Sequence, residues 1–178
     1  MQKMGFYQEF GSGRDAYIVL LAELHCLTER MLSQLPAQSF LFRGGETSVQ
    51  AYRVLCTFLL RVEEKKKRIN EEILRIARIR AELARQYTSD SVKRPADTSA
   101  HLAKTCESQK KLLIRMDAFS EAARIFDETV IRRFLLRLGE EADAEHDGKM
   151  CNVAQIRALG SAFCTQIAQL RAQLQDQL

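Results

Sequence analysis

Between Tyr52 and Tyr87 apolar residues return every three or four positions without a break, and no other feature of the chain restricts its fold so tightly. Leu55, Val62, Ile69, Ile76 and Leu83 recur at a spacing of seven. With Tyr52 at heptad position a, these five fill d, and Leu59, Lys66, Ile73, Arg80 and Tyr87 follow at a. A repeat of seven held over that distance predicts a coiled-coil seam rather than a short globular helix. A helix over about 47–87 measures on the order of 60 Å, whereas a compact chain of this size has a radius of gyration of about 16 Å. The spacing therefore predicts an elongated molecule.

The rest of the sequence supports an all-α fold. Only 2 Pro and 8 Gly occur among 178 residues, and there is no Trp. Such scarcity of breakers, with abundant Ala, Leu, Arg, Glu and Gln, favours helix nearly throughout. Four helices can be placed. The first is expected over about 15–35, after Gly11 and Gly13 break the chain and before Pro36 stops it; Tyr17, Leu20, Leu21, Leu24, Leu27 and Met31 form its stripe. The second, about 47–87, opens on the capping pattern Thr47-x-x-Gln50. The third, about 100–138, carries Leu112, Met116, Phe119, Ala123, Phe126 and Val130. The steps to Phe134 and Leu138 read as a stutter, and Gly139 is expected to end the helix. The fourth runs from about Cys151 with a cap at Asn152, and Val153, Ile156, Phe163, Ile167, Leu170 and Leu174 form its stripe.

These elements predict an elongated antiparallel helical hairpin or coiled-coil bundle of about four helices. Residues 1–46 supply an N-terminal helix and an aromatic plug (Phe40, Leu41, Phe42), with Phe6, Tyr7 and Phe10 able to dock. Residues 47–138 form the long hairpin, and 139–178 an acidic loop and C-terminal helix, all in one structural unit. Ile79 beside Ile76 gives the second helix another apolar edge, which suggests a bundle of three or more helices. Whether the extra helices come from this chain or another is open at this level.

Charge is polarised along the chain. Residues 61–94 hold 11 Lys/Arg against 6 Asp/Glu, and residues 139–178 hold 3 against 6. In EEKKKRINEE the pairs Glu63–Lys67, Glu64–Arg68 and Glu71–Arg75 stand four apart in the favourable order, which predicts a solvated helix face. Lys65, Lys67, Arg68, Arg75 and Arg78 could alternatively meet an acidic polymer surface such as tubulin. Nucleic acid is not expected, because interleaved aromatics and base-reading loops are missing. Lys66 and Arg80 at seam positions should meet carboxylates of facing helices and so select register or partner.

No catalytic constellation stands out. His25, His101 and His146 have no HExxH, G-x-S-x-G or Cys–His signature about them, and GFYQEFGSG and RGGE lack the features of phosphate loops. Asp143, Glu145, Asp147 and Gly148 imitate part of an EF-hand loop, but Ala154 falls where a bidentate Glu is needed, so no metal or cofactor is expected. Five widely spaced cysteines without a CxxC pair predict free thiols in a reducing, cytoplasmic setting. No apolar run approaches the roughly 20 residues of a membrane span, and no signal peptide or myristoylation site is expected.

The reading that follows is a non-enzymatic coiled-coil scaffold subunit of a hetero-oligomeric assembly. Leu55, Leu59, Val62, Lys66, Ile69, Ile73, Ile76, Arg80, Leu83, Leu112, Met116, Phe119, Phe126 and Val130 would be its partner-binding seam, and other helical subunits its partners. In helical pattern the chain resembles small subunits of microtubule-linked complexes such as augmin or kinetochore assemblies, a likeness that implies cytoskeletal association. The alternative is a self-contained helical-bundle adaptor or chaperone that takes a peptide or effector in an apolar groove.

Overall fold

In a computed structural model, residues 3–41, 45–92, 100–143 and 151–176 are described. They form an all-α bundle. Helix α1 spans Lys3–Gln34, α2 Glu46–Val92, α3 Ala100–Ile125, α4 Arg132–Asp143 and α5 Val153–Asp176. A π-helical turn, Phe126–Ile131, joins α3 to α4 into one continuous rod.

Contacts between helices fix their directions. Gly13 of α1 meets Ile76 of α2, and Glu23 meets Lys65, so the two run antiparallel. Arg80 meets Asp117 and Phe58 meets Phe134, which sets α2 antiparallel to the α3–α4 rod. The His25 carbonyl meets Cys164, and Leu32 meets Gly160, so α5 runs antiparallel to α1. Phe163 of α5 stacks on Phe134, closing the ring of neighbours. The topology is up-down-up-down, the arrangement that short connections favour.

The members are unequal. The 47 residues of α2 make about 70 Å of helix, and the 24 of α5 about 36 Å. The molecule is accordingly four helices thick at one end and thinner at the other. A two-residue antiparallel ladder ties the α1–α2 connection to the start of α5, pairing Phe40 with Asn152 and Leu41 with Cys151.

Several expectations need correction. Helix α1 begins at Lys3 and runs straight through Gly11 and Gly13. Burial of Phe10 and Tyr17 holds these turns, and a Cβ on Gly13 would stand 3.0 Å from Ile76 Cγ1, so the glycine admits a close helix crossing. Gly139 does not end the third helix, which continues to Asp143 because Leu138 and Ala142 are both buried on either side of it. Phe40 is no plug: it is 54 % exposed, and Phe42 lies outside the described residues. The acidic loop, with Glu145, His146, Asp147 and Gly148, lies outside them too.

The seam of α2 is displaced from the a/d reading. Leu55, Val62, Ile69, Ile76 and Leu83 are all buried, but their companions are Ala51, Phe58 and Ile79, one residue ahead of each expected a position. Because α2 touches α1 on one side and α3 on the other, its buried arc is centred on the d row. In the third helix the stripe jumps five residues, from Phe126 to Ile131, so Ile131 is buried where Val130 was expected. The stutter is resolved by the π turn, in which the Arg132 N–H donates to the Asp127 carbonyl five residues back. The fourth helix matches its expected stripe throughout, and the Gln155 N–H donates to Asn152 Oδ1 at 3.0 Å as a cap.

Candidate partner-binding surface

The side chains expected to capture a partner meet helices of this same chain. Phe58 lies edge-on to Phe134 at 6.0 Å, Phe119 lies edge-on to both Phe10 and Tyr17, and Phe126 stacks over Phe163. Leu55, Val62, Ile69, Ile76, Leu83, Leu112, Met116, Phe119 and Phe126 are buried; Leu59 and Ile73 pack against the core at its edge. Val130, only partly buried against the core, lines a surface groove, as does an edge of the buried Phe126.

The cations divide in the same way. Lys65 donates to Glu23 on α1 at 2.5 Å, whereas Lys66 approaches Asp127 at 3.9 Å on the opposite side of α2. Arg80 holds Asp117 through a two-pronged contact, 2.8 Å at Nε and 3.3 Å at Nη2, which raises the guanidinium pKa further. Both cations therefore meet carboxylates of the α3–α4 rod, from the edge of the buried arc rather than from within it. Lys67, Arg68 and Arg78 are exposed, and Arg75 reaches Glu72 at 3.7 Å rather than the expected Glu71.

One apolar concavity was not anticipated from the sequence. It is a cleft of about 550 Å³ over the outer face of α1, floored by Ile18, Val19, Ala22, Cys26 and Leu27. Lys65 from α2 stands on one side, and Arg171 and Gln175 from α5 on the other. Arg30 lies at the end nearer the Phe40–Asn152 ladder. Val19 is 54 % exposed and Cys26 is exposed. A signal for this face did exist: Ile18-Val19-Leu20-Leu21 are consecutive, and at 100° per residue four adjacent apolar side chains cannot all face one core.

A second groove follows the rod against α5. Val130 and Gln166 line both of its halves, with Arg133 and Arg137 toward one end and Gln169 and Gln173 toward the other. Burial pushes the Cys164 thiol up to about 11, with Glu29 and Cys26 adding to it. Burial also raises the Tyr17 phenol, helped by the charge on Asp127. His25 Nδ1 sits 3.7 Å from Glu29 on the surface of α1. Among the described residues no group of three His, Cys, Asp or Glu could hold a metal ion, and no helix is long and apolar enough to cross a membrane. No family model, curated protein or solved structure matches the chain.

Proposed function

We propose that the chain is a non-enzymatic helical-bundle adaptor that folds on its own and then joins a protein assembly through its outer faces. One observation carries this reading. The long apolar edge of α2 is covered by α1 and by the α3–α4 rod, so it needs no second chain to complete a core. Concave surface open to a partner is offered by the apolar cleft on α1 and the groove along α5. Apolar concavities of several hundred Å³ rimmed by a few charges are the usual form of recognition sites. Five thiols and no expected disulfide framework suit a cytoplasmic setting.

A test is mass determination with solution scattering on the chain expressed alone. A folded, helical monomer is the expected result. A chain that is insoluble, unfolded or aggregated without a companion would overturn the reading and favour an obligate subunit.

A second reading has its own observation. Lys67 and Arg78 are exposed on α2 eleven residues apart, three full turns, so they share an outward face. On a helix about 70 Å long this face suits a coiled-coil scaffold in a hetero-oligomeric complex that lies along an acidic polymer such as a microtubule. Cosedimentation with microtubules at low salt, lost with Lys67→Glu/Arg78→Glu, would favour it; no cosedimentation at all would remove it.

A further inference from the structure

Resting on the adaptor reading, we infer that the α1 cleft receives an amphipathic helix of a partner protein, its apolar stripe bordered by carboxylates about three turns apart. Three features lead there.

The first is shape. From Ile18 to Arg30 the cleft follows α1 for about 18 Å, the rise of three helical turns. Its floor repeats at helical spacing through Val19, Ala22 and Cys26, so it offers the ridge against which another helix packs. Recognition of this kind reads anchors at i, i+3 or i+4, and i+7.

The second is charge. Glu23 and Lys65 neutralise one another midway along the cleft. Arg30 and Arg171 have no carboxylate partner among the described residues, and they stand toward opposite ends. Arg61 adds a further cation in a small hollow beside Arg30. Among the residues lining the cleft, the uncompensated charge is thus positive at both ends and absent from the middle. An apolar helix with acidic flanks complements that pattern, and a basic one is repelled by it.

The third is an unmet donor. Arg171 Nε is buried without a hydrogen-bond partner. Turning that guanidinium outward to an arriving carboxylate would give the orphaned donor a charge-assisted hydrogen bond at the cleft.

The test uses the full chain and two synthetic helical peptides of the same Leu and Ala stripe. One has Glu flanking the stripe eleven residues apart; the other has Lys there. Fluorescence anisotropy should give saturable binding of the Glu peptide and about tenfold weaker binding of the Lys peptide. Arg30→Glu/Arg171→Glu should invert that preference, and Val19→Glu, at an exposed position, should abolish binding of both while circular dichroism stays unchanged. Bound Glu peptide should also slow alkylation of Cys26. Absence of Glu-peptide binding to a folded monomer, or binding indifferent to flank charge and to Val19→Glu, overturns the inference. So does a Val19-dependent dimer, which would assign the cleft to a second copy. Val19-dependent binding to vesicles of equal phosphatidylserine and phosphatidylcholine would assign it to a lipid surface and overturn it likewise. Failure of the adaptor reading is told apart by the same preparation, because it appears as loss of the folded monomer before any peptide is added.

Discussion

Gly160 of α5 lies so close to Leu32 of α1 that a Cβ upon it would stand 2.6 Å from Leu32 Cδ2, with Cγ and Cδ1 at 3.1 and 3.2 Å. Cγ and both methyl groups face the glycine, so turning the methyls about χ2 leaves Cγ in the way and the whole side chain must swing aside. Gly160→Val should therefore cost about 1–3 kcal/mol by overpacking, and Leu32→Ala in the same chain should recover much of it. Gly11 has nothing within 4 Å of its added Cβ, and Gly11→Ala should stabilise by about 0.5–1 kcal/mol through backbone entropy and helix propensity. Urea denaturation of the three variants checks both, and a Gly160→Val chain as stable as the parent would refute the close crossing.

Deleting Val130 should leave the bundle folded. The buried row steps from Phe126 to Ile131, then to Phe134 and Leu138. Without Val130 these steps become four, three and four, the spacing of an ordinary α-helix, and the π turn has no reason to form. A melting temperature within a few degrees of the parent is expected. An added residue at the same place should instead rotate Phe134 and Leu138 off the core and lower the transition sharply.

Stability should fall at alkaline pH. Both Tyr17 and Cys164 have pKa values raised by burial, the thiol to about 11 from its ordinary value of 9.0. The unfolded chain releases these protons first, so the stabilisation from Cys164 is lost as pH rises from about 9 to 11, and that from Tyr17 as pH rises above about 10. Unfolding at pH 8 and pH 10.5 measures the loss. Tyr17→Phe/Cys164→Ser should flatten it, and equal slopes in parent and variant would refute the assignment. In the folded chain the exposed Cys26 should also react with iodoacetamide ahead of Cys164.

Gln109 is buried on the row that continues Leu112 and Met116, and its Oε1 has no hydrogen-bond partner. An unmet buried acceptor costs about 1–3 kcal/mol, and methionine has nearly the same length without it. Gln109→Met should raise stability by about 1 kcal/mol. A loss instead would mean that the amide is satisfied in solution.

Much of the architecture was legible because it is local. Helical character follows from composition and spacing, and the d row of α2 and the whole stripe of α5 could be read residue by residue. Errors gathered where packing overrides propensity. Gly11, Gly13 and Gly139 look like breaks, yet buried neighbours hold the chain helical through each. The cleft was hidden for a related reason: α1 is apolar on more than one side, and periodicity alone does not say which side its neighbours leave bare.

By itself the sequence determined that long amphipathic helices must bury a continuous edge, and it identified most of that edge. Only the tertiary structure decided whose helices cover it. An apolar row such as Leu55 to Leu83 gains as much from a helix of its own chain as from a stranger's, since burial is non-directional. The choice rests on which helices the connections bring alongside, and on the 24-residue length of α5 beside the 47 residues of α2. Those are relations between distant segments, and they leave no mark on the periodicity of either one.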